Sequence, residues 1–156
     1  RIATFSIFTK EGYLQLLIHE LKYKNKPFIG ELIGDLFGRD LLHSDFIKPI
    51  EVIVPVPLHP IKKTIRGYNQ AEKFAKGISK ATSIPISVEH LIRVIHNPTQ
   101  TKLSKSQRWE NVEGIFEMKD IATFENKHIL LVDDIITTGS TIEACAKALL
   151  KCRILK

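Results

Sequence analysis

Apolar residues recur at Leu14, Leu17, Ile18 and Leu21, the spacing that lines one face of an amphipathic helix. After a break at Asn25 to Pro27 the same spacing returns at Ile29, Leu32, Ile33, Leu36 and Phe37, so the chain is expected to open with two helices. A different period follows. Residues 50–57, IEVIVPVP, form a β-branched run closed by prolines, which are tolerated at strand ends but not in central ladder positions. This predicts a buried strand running into a loop. Ala71, Phe74, Ala75 and Ile78 restore the helical spacing, with Asn69 placed as N-cap. The first unit therefore reads strand, basic loop, helix.

Pro85 through Ile95 is rich in Ile and Val and predicts one or two strands. Residues 97–111, NPTQTKLSKSQRWEN, form a polar connection of a length uncommon in compact domains unless it has a function or is disordered. Val112 to Met118 and His128 to Val132 read as further strands, and Thr141 to Cys152 as a closing helix. Strands alternating with helices predict an α/β fold whose central sheet is mainly parallel and flanked by helices.

With 156 residues the chain is long enough for one domain with a real core. No apolar run approaches the roughly 20 residues needed to span a bilayer, so no membrane partner is expected. Thr4, Ser6, Thr9, Lys10 and Glu11 interrupt the N-terminal apolar residues, unlike a secretory signal, and the cytoplasm is the expected location. The two cysteines, Cys145 and Cys152, fall on one predicted helix with Cα atoms about 10 Å apart, too far to pair, and read as reduced packing residues. A net charge of +6 points to an anionic partner. It is gathered in three groups: Lys22, Lys24 and Lys26; Lys62, Lys63 and Arg66; Lys102, Lys105 and Arg108. The latter two sit in segments that read as loops beside strands, a position suited to gripping phosphate.

The densest chemistry lies in residues 129–141, ILLVDDIITTGST. In parallel α/β sheets ligands collect at the carboxyl ends of strands, where Asp133 and Asp134 would stand. The loop that follows enters a helix, so its backbone N–H groups and the hydroxyls of Thr137, Thr138, Ser140 and Thr141 can converge on a phosphate at the positive end of the helix dipole. Gly139 permits close backbone approach. Two carboxylates beside a phosphate cradle suit a sugar phosphate. A nucleotide-binding P-loop is excluded, because none of the eight glycines is followed by lysine.

That stretch resembles the phosphoribosyl pyrophosphate (PRPP) motif of type I phosphoribosyltransferases. PVPLHPIKKTIRGYNQAEKFA resembles the segment that marks the ComF family of competence-associated, phosphoribosyltransferase-like proteins. PTQTKLSKSQRWENVEGIF matches the middle segment of the same family and is similar to a region of the glutamine-dependent PRPP amidotransferase. FSIFTKEGYLQLLIHELKYKNK resembles the family's opening, so the likeness covers nearly the whole chain. Members commonly carry an N-terminal zinc ribbon of two CxxC pairs, and this chain has no CxxC. With Arg1 in place of Met, and with Arg153, Ile154 and Leu155 reading as the approach to one more strand, residues 1–156 are taken as a single phosphoribosyltransferase-like domain within a longer chain.

The resemblance implies a type I phosphoribosyltransferase fold with an N-terminal helical hood, and transfer of phosphoribosyl from PRPP to an unidentified acceptor with release of pyrophosphate. Asp133 and Asp134 would be catalytic, holding the ribose hydroxyls directly or through Mg²⁺ and its water. Thr137, Thr138, Gly139, Ser140 and Thr141 would hold the 5-phosphate. Leu58, His59 and Arg66 would meet the pyrophosphate, and Lys102, Lys105 and Arg108 would lie on a flexible closing loop. The alternative is a non-catalytic PRPP-binding accessory in DNA uptake, with DNA or a DNA-uptake helicase as partner; a second copy of the chain is a candidate partner on either reading.

Overall fold

In the computed structural model, which describes residues 3–4, 13–94, 114–120 and 122–151, strand β1 (Val52–Pro55) is buried at every position. Strand β4 (Ile129–Val132) runs parallel beside it, with Val52 opposite Ile129 and Pro55 opposite Val132. On the other side Ile53 bridges Ile86 in the parallel sense, its N–H donating to Pro85 O at 2.9 Å and its carbonyl accepting from Ser87 N–H at 2.8 Å. Three parallel segments thus lie side by side with β1 in the middle.

Successive strand residues face opposite sides, and both sides of β1 are covered. Val52, Val54 and Val56 pack with Leu91, Phe116 and Cys145, while Ile53 packs with Leu41, Ala75 and Ile78. This double burial explains the unbroken β-branched run. Ile53 and Val54 are completely buried, each worth about 1.5–3 kcal/mol.

Helices α1 (Tyr13–Tyr23) and α2 (Pro27–Leu42) form where the spacing predicts them. The face that α2 buries is different. Ile29, Gly30, Gly34, Gly38 and Leu41 are buried, while Leu32 and Leu36 are 56% and 47% exposed. The reason is contact between backbones. Helix α4 (Gln70–Thr82) lies so close that a Cβ on Gly34 would stand 2.1 Å from the Phe74 carbonyl oxygen, and one on Gly77 would stand 2.1 Å from that of Glu31. A stripe of glycines spaced four apart makes the interface, not the leucine stripe that flanks it. Asn69 caps α4 as expected, accepting from Ala71 N–H at 3.1 Å.

Three readings change in the structure. The basic stretch after β1, read as a loop, contains the seven-residue helix α3 (Pro60–Arg66), begun by a proline and ended by Gly67 at φ 79°. The Val112 to Met118 strand is described from residue 114 onward, where it forms the short β3 (Phe116–Met118). It pairs antiparallel with β2 (Leu91–Arg93) as a ribbon apart from the parallel sheet. A 3₁₀ turn (Ala122–Phe124) leads to β4, and helix α5 (Ser140–Lys151) closes the described chain. Among the described residues no helix is long and apolar enough to cross a membrane.

Candidate functional site

Because β1 and β4 are adjacent and parallel, the segments that leave them emerge at the same edge of the sheet. Val56 N–H donates to Val132 O at 2.8 Å, so the pairing lasts until both chains turn away. The segment that carries Leu58 and His59 therefore leaves the sheet at the same end as Asp133 and Asp134.

Asp133 and Asp134 are half-buried at the end of β4. The Asp134 N–H donates to Asp133 Oδ1 at 2.9 Å, folding the first carboxylate back over the turn. Burial, followed by the negative charge of Asp134, pushes Asp133 from the usual 3.8 up to about 7. Asp134 meets a cation that the spacing of the chain does not reveal: Lys22 Nζ, from the last turn of α1, stands 2.8 Å from its Oδ2. The approach lies off the axis of a good hydrogen bond, so this inaccessible oxygen is paired in charge but has no aligned donor. Lys26, from the same basic group, pairs instead with Glu20 at 2.5 Å.

The loop after the acidic pair enters α5 as the sequence implies. Thr137, Thr138 and Ser140 are exposed, with Thr141 and Gly139 partly so. The Thr138 and Ser140 hydroxyls lie 3.0 Å apart, and Ser140 N–H reaches Thr138 Oγ1 at 3.4 Å. Gly139 has φ 79°, which gives glycine a second reason to be there, and beyond its chain neighbours a Cβ would meet no atom of the described residues within 4 Å. Glu143 N–H donates to Gly139 O at 2.9 Å, the first bond of the helix.

On the β1 side, His59 caps α3, its Nδ1 accepting from Ile61 N–H at 3.2 Å. Arg66 Nη1 donates to Gln70 Oε1 at 3.2 Å, and Lys63 faces Glu72 at 3.5 Å. Lys62 has its ammonium pushed below the usual range by burial and then by the positive charges of Arg93 and Arg66. Arg93, on β2, stacks over Phe116 with its guanidinium carbon 5.5 Å from the ring centre, and burial lowers it also. A cavity of about 340 Å³ opens between these elements, lined by Leu58, Lys63, Thr64, Asn69, Glu72 and Arg93.

The acidic edge and the basic cavity flank one buried thiol. Cys145 of α5 is pushed up to about 12 by burial and by the charge of Asp133, with Arg93 acting in the opposite direction. Arg93 was missed in the sequence because it sits inside an apolar strand pattern. Of the predicted site residues, the structure brings Asp133, Asp134 and 137–141 together at one turn. Leu58 is placed at the cavity, with His59 and Arg66 at the two ends of α3. Lys102, Lys105 and Arg108 lie outside the described residues, though Val94 N–H donates to Ile115 O at 2.9 Å and holds the ends of that segment together.

Residues 44–155 match the family model for the phosphoribosyl transferase domain. The chain is 34% identical over 142 residues to Competence protein F of Haemophilus influenzae, covering 88% of this chain and 62% of that one. It is 29% identical over 141 residues to the DNA utilization protein YhgH of Escherichia coli K12, covering 88% and 61%. It is 36% identical over 100 residues to Competence protein ComFC of Bacillus subtilis, covering 64% and 38%. The chain thus spans about three fifths of the length of the first two. A solved structure described as the allosteric regulatory enzyme of purine biosynthesis superposes with a TM-score of 0.53 at 20% identity, covering 86% of this chain and 27% of that one. At that identity the likeness concerns the fold.

Proposed function

Because the chain belongs to the phosphoribosyl transferase domain family, as a ComF-like member, we propose that it binds PRPP and transfers its phosphoribosyl group to a nucleophile not yet identified. The observation that carries this reading is the acidic pair at the sheet edge, followed at once by an open hydroxyl-lined turn into α5. Asp133 and Asp134 accept from the ribose 2- and 3-hydroxyls, while the N–H groups and hydroxyls of 137–141 hold the 5-phosphate. The C1–oxygen bond to pyrophosphate breaks, a bond from C1 to the nucleophile forms, and the nucleophile loses a proton. The carboxylates offset the positive charge that develops on the sugar, and Lys62, Lys63 and Arg93 meet the departing pyrophosphate.

The donor set fits Mg²⁺. Asp134 Oδ2 has no aligned donor, and Asp133 is pushed up by burial and then by the charge of Asp134, so a divalent cation would offset the negative charge of both. Among the described residues no group of three or more His, Cys, Asp and Glu gathers to hold a metal. Two carboxylates, with phosphate oxygens and water completing the shell, is the pattern Mg²⁺ favours. When bound, the ion would supply positive charge to the sugar hydroxyls and phosphates. A cytoplasmic location belongs to the same reading.

The names of the relatives favour a second reading, a PRPP-binding accessory in DNA uptake that performs no transfer. Calorimetry with Mg²⁺ and PRPP tests what the two share: the wild type gives heat, and the Asp133→Asn, Asp134→Asn double variant gives none. No heat from the folded wild type would remove both readings. Pyrophosphate release against a panel of nucleobases and amines then separates them. Release with one acceptor establishes the transferase, and PRPP binding without any release favours the accessory.

A further inference from the structure

Two neighbouring residues of α1 fasten it to different parts of the fold. Leu21 is buried, and its carbonyl accepts from the Tyr68 hydroxyl in the turn between α3 and α4. That turn is itself held to β1, since Asn69 Nδ2 donates to Val56 O at 2.9 Å. Leu21 thus ties α1 to the β1 side, and Lys22 ties it to the β4 side through Asp134. The links differ in kind. The first engages neither carboxylate of the acidic pair. The second places an ammonium on an acidic oxygen that a ligand cation would take.

We propose that Lys22 is a positioning residue that serves Asp134 as an internal counter-ion, standing where a divalent cation would engage that oxygen and yielding it when the cation binds. The inference rests on the sugar and metal reading of the acidic pair given above. An ammonium is a compact point charge on a flexible four-carbon stem, so it can withdraw without moving its helix. Its off-axis approach means that no directional hydrogen bond to Oδ2 is lost. A divalent ion brings twice the charge and engages both carboxylates with the phosphates of a bound ligand. Once Lys22 lets go, α1 keeps the Leu21 link and its packing on Ile29 of α2 but loses its tie to the acidic pair. The state of the acidic pair is thereby passed to the hood.

Manganese(II), a paramagnetic ion with the same oxygen preference, provides the probe. Electron paramagnetic resonance titration of the whole chain without PRPP should show Lys22→Met binding manganese at least about tenfold more tightly than wild type, because a cation at contact distance has been removed. Lys22→Arg keeps the charge and should stay within about threefold of wild type on the same grounds. Hydrogen exchange of the α1 amides should speed up in wild type at saturating manganese, and be already fast and unresponsive in Lys22→Met. Equal or weaker manganese binding by folded Lys22→Met overturns the proposal. If that variant does not fold, unchanged α1 exchange in wild type on adding manganese overturns it instead. The two readings fail separately: folded wild type that shows the manganese contrast but no PRPP heat would remove the sugar assignment and leave Lys22 as the counter-ion.

Discussion

Lys22 Nζ lies 2.8 Å from Asp134 Oδ2 and so joins the end of the first helix to the edge of the last described strand. The contact places a cation beside a carboxylate pair whose other member, Asp133, is pushed up to about 7 by burial and then by the Asp134 charge. It offsets part of the repulsion between the two, while burial and the Asp134 charge still dominate Asp133.

Stability should fall as pH rises through the window set by Asp133. Its folded value of about 7 lies above the usual 3.8, so between those values the native state holds a proton that the unfolded chain has lost. The stabilisation is fully present near pH 4 and gone above about pH 7, with an upper bound of about 4 kcal/mol at about 1.4 kcal/mol per pH unit. Thermal melts without PRPP or divalent ions should show wild type losing more stability than Asp133→Asn between pH 5 and pH 8. Parallel losses in the two proteins would remove this assignment.

The glycine contact between α2 and α4 should tolerate no methyl group. Gly77→Ala sets a Cβ 2.1 Å from Glu31 O and 2.5 Å from Asp35 N, both backbone atoms that cannot rotate away. The gain in helix propensity, about 1 kcal/mol, is smaller than the strain, and a net loss of about 1–3 kcal/mol is expected. Chemical denaturation measures it directly; an unchanged or higher midpoint would show that the helices separate freely.

Pyrophosphate binding should depend on Lys63 and Arg93, which line the cavity. Replacing either by Gln is expected to weaken pyrophosphate about tenfold, the loss of one charge-assisted contact at about 1.4 kcal/mol. Lys80→Gln, at the exposed far end of α4, serves as the control and should bind like wild type. Equal effects at all three positions, measured by calorimetry at fixed ionic strength, would indicate diffuse attraction instead of a cavity.

Cys145 should be inert in the native protein. It is completely buried, and its thiol is pushed up to about 12, so little thiolate forms at pH 8. Iodoacetamide followed by mass spectrometry should leave Cys145 unmodified until denaturant is added. Rapid native alkylation would mean that α5 opens easily from β1.

Much of the fold was legible because burial follows period. The run at 50–57 has both faces covered and reads as a core strand, and Asn69 reads as a cap because its side chain has a backbone donor to satisfy. What was illegible rests on contacts without a pattern. Gly34 and Gly77 carry no hydrophobic signal, yet their lack of a side chain is what turns α2, so the leucines marked as core stand exposed. Helix α3 was hidden by its length, seven residues being too few to show a period. In the site, Asp133, Asp134 and the 137–141 turn are contiguous and could be read directly. Lys22 and Arg93 reach it from distant segments, and only the folded chain brings them there.

The seam between α2 and α4 also constrains how such a protein can diversify. An interface between backbones offers no side chains to vary, so its inner surface is closed to gradual redesign. Phe28, Leu32 and Leu36, on the outward face of α2, can change without disturbing that fit, as can the neighbouring surface of α1. Sequence change in such proteins is therefore expected to gather on the outer faces of α1 and α2, over a seam that stays the same.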